Sequence, residues 1–231
     1  VGGDMALTTL YYMEVLSLPV LHTVGGKVSI HNNNYIRTLN MDALESVGDE
    51  LSVAQNERLR ESSFDALESL PSLFLYFNDA LIDPTFSALE TVDGDVTVSV
   101  NTNLKTIDFP VLSRIEGSLY VERNNRKLDT VSMDNLTTIG GNITFTDNPQ
   151  MTLVSFPGLT DVAGDILIYG SSEGGDYPAL SEVYFDALTT LGGSFTVDFT
   201  HILCRSILDP IQEQLVSYGW DRWLSGGDSE C

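Results

Sequence analysis

The sequence predicts an all-β fold, a parallel β-helix or solenoid of about nine coils with a C-terminal cap. Two observations predict it. A short motif returns every 22 to 24 residues over most of the chain, and within each copy apolar residues alternate with small polar ones. The period favours a single domain, residues 1–231, with repeats in 1–200 and the cap in 201–231. The copies open at Val1, Val24, Val47, Leu70, Val92, Ile115, Ile139, Val162 and Leu191.

Each element of the motif has a physical reason, which the copy VDGDVTVSVN illustrates. Gly94 permits the positive φ angle that a tight corner needs. Val96 and Val98 alternate with Thr97 and Ser99, as in a strand with one buried face. Copies stacked about 4.8 Å apart would form a parallel sheet. No helical apolar stripe occurs before the C-terminal segment, so we expect β coils with at most single helical turns at the corners.

Three columns of apolar residues are predicted to point into the coil, two from the alternating strand and one from another side. The first comprises Met5, Val28, Leu51, Leu73, Val96, Leu119, Ile143, Ile166 and Phe195. The second comprises Leu7, Ile30, Val53, Leu75, Val98, Val121, Phe145, Ile168 and Val197. The third comprises Leu21, Leu44, Leu67, Leu89, Leu112, Leu136, Leu159 and Leu188.

An asparagine follows the alternating strand in six copies of the motif. Asparagine tolerates the left-handed backbone, and its amide both donates and accepts hydrogen bonds. We therefore expect a structural ladder that satisfies the backbone groups of one corner, in preference to a row of amides that reads a ligand. The ladder comprises Asn33, Asn56, Asn78, Asn101, Asn124 and Asn148.

The stretches IDFPVLSRIEGSLYVERNNRKLDTV and VSFPGLTDVAGDILI resemble the receptor L-domain repeat, a module similar to leucine-rich repeats. This module occurs in insulin- and EGF-receptor ectodomains and in fungal and bacterial surface proteins. The resemblance covers residues 1–197 and implies a right-handed β-helix. The cysteines of animal receptor L domains are absent here, so a growth-factor receptor is not implied. The C-terminal stretch LCRSILDPIQEQLVSYGWDRW resembles the end segments of bacterial secreted L-domain-like proteins.

The C-terminal segment has the features of a cap over the last coil. Residues 209–220 suit a short amphipathic helix that begins with Asp-Pro and ends at glycine. Trp220 and Trp223 could fold over the end of the coil. A disulfide between Cys204 and Cys231 would close this segment and contribute about 3–4 kcal/mol. The other interpretation is two unrelated thiols; a disulfide favours a secreted or surface protein.

The two irregular parts of the repeat each allow two interpretations. The first copy begins in the middle of the motif at Val1, so the first coil is predicted to be uncapped. Either a preceding segment was removed or another chain covers this coil, which implies head-to-tail self-association. A Gly- and Ser-rich insertion, residues 170–183, is either a binding loop or tolerated variation.

The chain is strongly acidic, with 33 Asp and Glu, 11 Lys and Arg and a net charge of −22. Such a surface repels phosphate backbones, so nucleic acid is excluded as a partner. The simplest explanation of the acidic charge is solubility. The alternative is that the chain binds Ca²⁺ or a basic partner, although no acidic run resembles an EF-hand loop. No apolar window is long enough for a membrane span. We therefore expect no cofactor and no membrane span.

The sequence holds no recognisable catalytic constellation. The three histidines are His22, His31 and His201, and the last two lie about seven rungs apart, too far to share a metal or a triad. No nucleophile-elbow, zinc-protease or phosphate-loop motif occurs. The outward strand positions are mostly Ser, Thr and Ala, without the paired carboxylates of a polysaccharide-cleaving β-helix. We therefore expect a protein that is not an enzyme.

One group of large residues interrupts the small outward positions: Phe74, Tyr76, Tyr120, Leu167 and Tyr169. Exposed aromatic residues can mark a protein- or sugar-binding face, although loops or a neighbouring chain could also cover them. They also break the regular threonine rows that ice binding would need.

The sequence thus favours an extracellular or cell-surface recognition or adhesion module for a protein or glycan ligand. The alternative is a structural subunit that stacks into a fibre or layer. Asn135 and Asn142 lie in glycosylation sequons.

Overall fold

The computed structural model describes residues 1–124, 126–170 and 180–198 and one further strand, Trp223–Ser225. Within these residues the chain forms a parallel all-β solenoid of about seven coils without a helix, which confirms the predicted fold class. Each coil passes along three sides. The eighth and ninth coils include undescribed residues, so the count of nine stays a prediction. The predicted helix 209–220 and the disulfide of Cys204 with Cys231 lie outside the described residues.

The first side is one ten-stranded parallel sheet. Each residue pairs with its counterpart one repeat later, as Val96 does with Leu119. Trp223, which is predicted to fold over the end of the last coil, begins a strand that pairs with Phe195 and continues the sheet at that end. The strands are β1 (Met5–Thr8), β4 (Val28–His31), β7 (Glu50–Ala54), β10 (Ser72–Tyr76), β13 (Val96–Ser99), β16 (Leu119–Glu122), β19 (Ile143–Thr146), β22 (Ile166–Tyr169), β25 (Phe195–Asp198) and β26 (Trp223–Ser225).

The second side is divided into two four-stranded sheets, with the break between the fourth and fifth coils. A groove of about 240 Å³ lies at the break, lined by residues of both adjoining strands and by Pro110. The first sheet contains β2 (Val15–Ser17), β5 (Thr38–Asn40), β8 (Glu61–Ser63) and β11 (Asp83–Thr85). The second contains β14 (Thr106–Asp108), β17 (Thr130–Ser132), β20 (Leu153–Ser155) and β23 (Glu182–Tyr184).

The third side consists of two-residue strands in a two-stranded and a six-stranded sheet. The first holds β3 (Thr23–Val24) and β6 (Ser46–Val47). The second holds β9 (Ser69–Leu70), β12 (Thr91–Val92), β15 (Arg114–Ile115), β18 (Thr138–Ile139), β21 (Asp161–Val162) and β24 (Thr190–Leu191).

The insertion leaves the stacking of the coils intact. Ile166 of β22 still pairs with Phe195 of β25, and Leu153 of β20 pairs with Glu182 of β23, each across 29 residues instead of 23. The extra residues are therefore accommodated between β22 and β23. Most of them, residues 171–179, lie outside the described part, so their proposed binding role stays a prediction.

The three predicted apolar columns form the interior, and from the second coil onward all their members are buried. In the first coil, Met5, Leu7 and Leu21 are only partly buried. A further interior column of Phe and Met follows the second side, and its rings stack between coils. The centroids of Phe64 and Phe86 lie 5.2 Å apart with planes 12° apart. The column comprises Met41, Phe64, Phe86, Phe109, Met133, Phe156 and Phe185.

The prediction that Gly94 supplies a positive φ angle is wrong, because none of the described corner glycines has a left-handed backbone. The glycine is required by close stacking instead. A Cβ atom at Gly94 would lie 2.6 Å from the carbonyl oxygen of Pro71 and 2.6 Å from the hydroxyl of Ser72, both in the preceding coil. At Gly48 a Cβ atom would collide with the carbonyl oxygen of Gly25.

Ser62 is a polar defect in the inward column of the second side. It occupies the position of Leu39 in the preceding coil and pairs with Pro84 in the next. It is only 1% exposed, and its hydroxyl has no hydrogen-bond partner within the described residues. Burying an unpaired hydroxyl destabilises the folded state.

Replacing Ser62 with alanine is expected to raise the free energy of unfolding by about 1 kcal/mol, because it removes a buried polar group that makes no compensating bond. Denaturant unfolding measures this change. Ser29→Ala, on the outward face of β4, is the control and should have little effect. A destabilised Ser62→Ala protein would contradict the interpretation and show that the hydroxyl has a bonding partner.

Candidate functional site

The six predicted asparagines lie at the corner between the first and second sides, and none is more than 2% exposed. The first five ladder asparagines each bond the preceding coil through the side-chain amide and the next coil through the backbone N–H, and Asn148 bonds the preceding coil. The Nδ2 of Asn101 donates to the carbonyl oxygen of Leu75 in the preceding coil at 2.9 Å. Its backbone N–H donates to Oδ1 of Asn124 in the next coil, also at 2.9 Å. The same two bonds recur with little change, and the first Oδ1, that of Asn33, accepts from the N–H of Leu10.

The ladder satisfies backbone groups that the corner would otherwise leave without partners. The carbonyl that receives each Nδ2 belongs to the second inward residue of the strand, where the chain leaves the sheet. Both ends of every amide are thus occupied by protein atoms, and the side chains are buried. These asparagines hold the corner together and do not face the solvent.

In each coil up to that of Asn148 a left-handed residue lies directly before the ladder position, which Leu10 occupies in the first coil, and the ladder asparagines themselves are not left-handed; Tyr12 in the first coil is a further left-handed residue. The φ angles of the residues before the ladder positions lie between 54° and 58°, although most of these residue types disfavour this region. Asn32, Gln55, Phe77 and Arg123 in this row are exposed. The row comprises Thr9, Asn32, Gln55, Phe77, Val100, Arg123 and Asp147.

Three of the predicted binding residues share one outward row of the first side. The register places Phe74, Tyr120 and Leu167 on alternate rungs, with Thr97 and Thr144 between them. Neighbouring large residues are therefore about 10 Å apart. All three are half-buried, and Thr144 is reduced to 9% exposure between its larger neighbours. The row therefore alternates large and small side chains along the first side.

The remaining two predicted residues, Tyr76 and Tyr169, lie in the parallel row of the same face and are also half-buried. Three rungs separate Tyr76 from Tyr169, and the residues of these rungs in the same row, among them Glu122, are smaller or charged. Tyr76 forms edge contacts with two rings, His31 at 6.1 Å and Phe77 at 5.8 Å. An aromatic cluster therefore joins this face to the asparagine corner.

His31 is held by its neighbours on the first side. Its Nε2 lies 2.8 Å from the hydroxyl of Ser52. Burial lowers the pKa of His31 below its ordinary value, and the positive charge of Lys27 lowers it further. The ring is therefore biased toward its neutral form. His22 lies near the third side, with Nδ1 3.1 Å from a carboxylate oxygen of Glu45; His201 lies outside the described residues.

A second polar row, which sequence reasoning missed, lies at the glycine corner before the first side. Oδ1 of Asp95 accepts the N–H of Ser118 at 2.8 Å, and the hydroxyl of Ser118 accepts the N–H of Asn142 at 2.9 Å. Asn142 in turn accepts the N–H of Asp165. Bonds from the N–H and hydroxyl of Ser194 lower the pKa of Asp165. Because the residue type varies along this row, no single letter of the sequence reveals it.

Exposed aromatic residues also gather at the asparagine corner of the early coils, which the sequence interpretation did not recognise. Tyr11 and Tyr12 are 72% and 83% exposed, and Tyr35 and Phe77 are 39% and 49% exposed. The rings of Tyr12 and Tyr35 lie 5.4 Å apart, and the guanidinium of Arg58 lies 5.3 Å from the ring centre of Tyr35. Their signal in the sequence is their position within two residues of a corner position, outside the strand: Phe77 precedes Asn78, and Tyr35 follows Asn33 by two residues.

The described residues contain no group of three or more His, Cys, Asp or Glu side chains arranged to hold a metal ion. They also contain no helix long and apolar enough to cross a membrane. The sequon residues differ: Asn135 is exposed and donates to the carbonyl of Pro110, whereas Asn142 belongs to the glycine-corner row. Comparison with protein families, curated proteins and solved structures finds no match to this chain.

Replacing Asn101 with alanine is expected to lower the free energy of unfolding by about 2–4 kcal/mol. The change leaves two buried backbone groups without partners, the N–H of Asn78 and the carbonyl of Leu75. Urea unfolding measures the loss. Asn34→Ala, at an exposed position beside the same ladder, should change stability by less than about 0.5 kcal/mol. Equal losses of stability in the two variants would show that the hydrogen bonds of the ladder do not stabilise the corner.

Proposed function

We propose that the chain is a non-enzymatic recognition or adhesion module of the extracellular space or cell surface. It binds a protein or glycan ligand through the outward face of the first side. The observation that carries this proposal is the set of half-buried aromatic and aliphatic side chains on an otherwise small, polar sheet: Phe74, Tyr76, Tyr120, Leu167 and Tyr169. The rungs of Phe74, Tyr76 and Tyr120 are fixed by ladder hydrogen bonds to the carbonyls of Leu75 and Val121, so this part of the face is preorganised for contact.

The resemblance of the repeats to receptor L domains of the bacterial and fungal surface type supports the surface location. The proposed disulfide of Cys204 with Cys231 agrees with an oxidising compartment. The net charge of −22 disfavours nucleic acid as a partner. The proposal requires no cofactor, no metal and no membrane span.

The outward residues of the first side support binding without chemistry. They are mainly Ser, Thr and aromatic side chains, and His31, the histidine of this face, has a serine hydroxyl against its Nε2. A hydrolytic triad would also need a carboxylate to orient the other ring nitrogen and donors for an oxyanion. The face has instead the amphipathic rings that are enriched at contact surfaces.

The test is an array of extracellular-matrix proteins and glycans probed with the chain and with the variant Phe74→Ser/Tyr76→Ser/Tyr120→Ser. We expect the wild type to bind at least one ligand class, and the variant to lose that binding at least about tenfold while its melting temperature changes little. Thr97→Ser/Thr144→Ser, in the same outward row as Phe74 and Tyr120, is the control. Unchanged binding by the triple variant, or a large loss of its thermal stability, would contradict a contact role for this face.

A second candidate function is a structural subunit that stacks head to tail through the first coil. Met13 is 38% exposed although its counterpart one repeat later, Ile36, is 1% exposed. Val15 and Val20 of the same coil are 60% and 82% exposed. An apolar coil end beside the edge strand β1 offers the contact that would continue the solenoid into a second copy.

Sedimentation velocity over a range of concentrations tests this candidate. Self-association that grows with concentration and is abolished by Met13→Glu supports it. Val111→Glu, at a similarly exposed residue of a middle coil, should leave the association intact. A chain that stays monomeric at every concentration rules the candidate out.

A further inference from the structure

The exposed aromatic residues of the described chain are concentrated at one place. Tyr11, Tyr12, Tyr35 and Phe77 all lie along the asparagine corner of the first four coils, and only Tyr184 lies elsewhere. Large exposed rings that follow one edge of a soluble protein are typical of a contact surface. This edge adjoins the outward face of the first side through the contact between Tyr76 and Phe77.

A groove of about 240 Å³ occupies the same corner in the second, third and fourth coils. Its walls are two rows of exposed side chains, one residue on either side of the buried asparagines. The left-handed row supplies Asn32, Gln55 and Phe77, and the opposite row supplies Asn34, Glu57 and Asp79. We name these six residues the corner groove.

The base of the corner groove is rigid because it is the ladder itself. Asn33, Asn56 and Asn78 are fully buried and bonded to coils on both sides. The wall residues repeat about every 4.8 Å, the rise between coils. A ligand therefore meets a fixed row of polar groups and pays little for ordering them.

The chemistry of the walls fits a sugar. Three amides, those of Asn32, Asn34 and Gln55, both donate and accept hydrogen bonds, and the carboxylates of Glu57 and Asp79 accept pairs of hydroxyl protons. The ring of Phe77, 49% exposed, offers a flat apolar face to the C–H side of a pyranose. The carboxylates and the net charge of −22 exclude acidic polysaccharides.

We propose that the corner groove binds an uncharged oligosaccharide, with Phe77 stacked on one sugar ring and the amides and carboxylates bonded to its hydroxyls. The proposal rests on the proposed function, since it names the ligand class and a site next to the proposed contact face. The open ends of the groove along the coil axis suit a linear chain of sugars.

Isothermal titration of the whole chain with cellotetraose, laminaritetraose, chitotetraose and maltotetraose tests the proposal. An oligogalacturonate and a lysine-rich peptide serve as charged probes. At least one uncharged oligosaccharide is expected to bind at millimolar concentration or below, and the oligogalacturonate is not. Binding by none of the four, or binding of the peptide alone, overturns the proposal.

Two variants locate the site without disturbing the corner. Phe77→Asn removes the ring but keeps a residue that accepts the left-handed backbone, as Asn32 does in an equivalent position. Asp79→Ala removes one wall carboxylate. Each should weaken binding at least about tenfold with an unchanged melting temperature, whereas Tyr184→Asn, at a similarly exposed ring on the second side, should not. Unchanged affinity in both groove variants overturns the proposal.

The binding array and the oligosaccharide titrations together distinguish a failure of the corner groove from a failure of the proposed function. If the array shows ligand binding that depends on Phe74, Tyr76 and Tyr120 but no uncharged oligosaccharide binds, only the corner groove fails. If the wild type binds nothing on the array and no oligosaccharide in solution, both proposals fail.

Discussion

The hydrogen bonds from one asparagine to the next are the interaction on which the rest of the structure depends. From Asn33 to Asn124, each asparagine bonds the coil before it through its side-chain amide and the coil after it through its backbone N–H, which sets both the distance and the register between turns. A coil one residue longer or shorter between ladder positions would have to absorb the difference elsewhere. The insertion after β22 follows the last ladder asparagine, Asn148, and lies between two sides, so both sheets stay in register across it.

The other regular features follow from this fixed spacing. Coils held at the rise of a parallel sheet leave no room for a Cβ atom at Gly94, so glycine is needed there for space. Apolar residues of equal position stack directly above one another, as the rings of Phe64 and Phe86 do. The residues before the ladder adopt a left-handed backbone whatever their type, even the β-branched Val100, since the corner imposes it.

These dependences explain how far the sequence could be interpreted. The apolar columns and the ladder recur as the same residue type at a fixed period, so the sequence reveals them directly. The left-handed row and the glycine-corner row vary in residue type, because the stack determines their conformation and any short polar side chain can bond the next N–H. The outward residues Phe74 and Tyr120 were predictable from alternation, but Phe77 and Tyr35 lie past the strand ends, where alternation no longer indicates direction. Nor did the period predict the break between β11 and β14, since Ser62 and Pro84 change the chemistry of a column without changing its spacing.

Because of that break, the second side of the solenoid is less resistant to bending than the first side. The first side runs through the fourth and fifth coils as one continuous sheet, while the second side is parted there by a groove between Pro84 and Pro110. The third side is also one continuous sheet across these coils, and across the break in the second side the N–H of Lys105 still donates to the carbonyl oxygen of Ile82 at 3.4 Å. Any bending of the solenoid is therefore expected to open the second side between its fourth and fifth coils, where it has the fewest backbone hydrogen bonds to break.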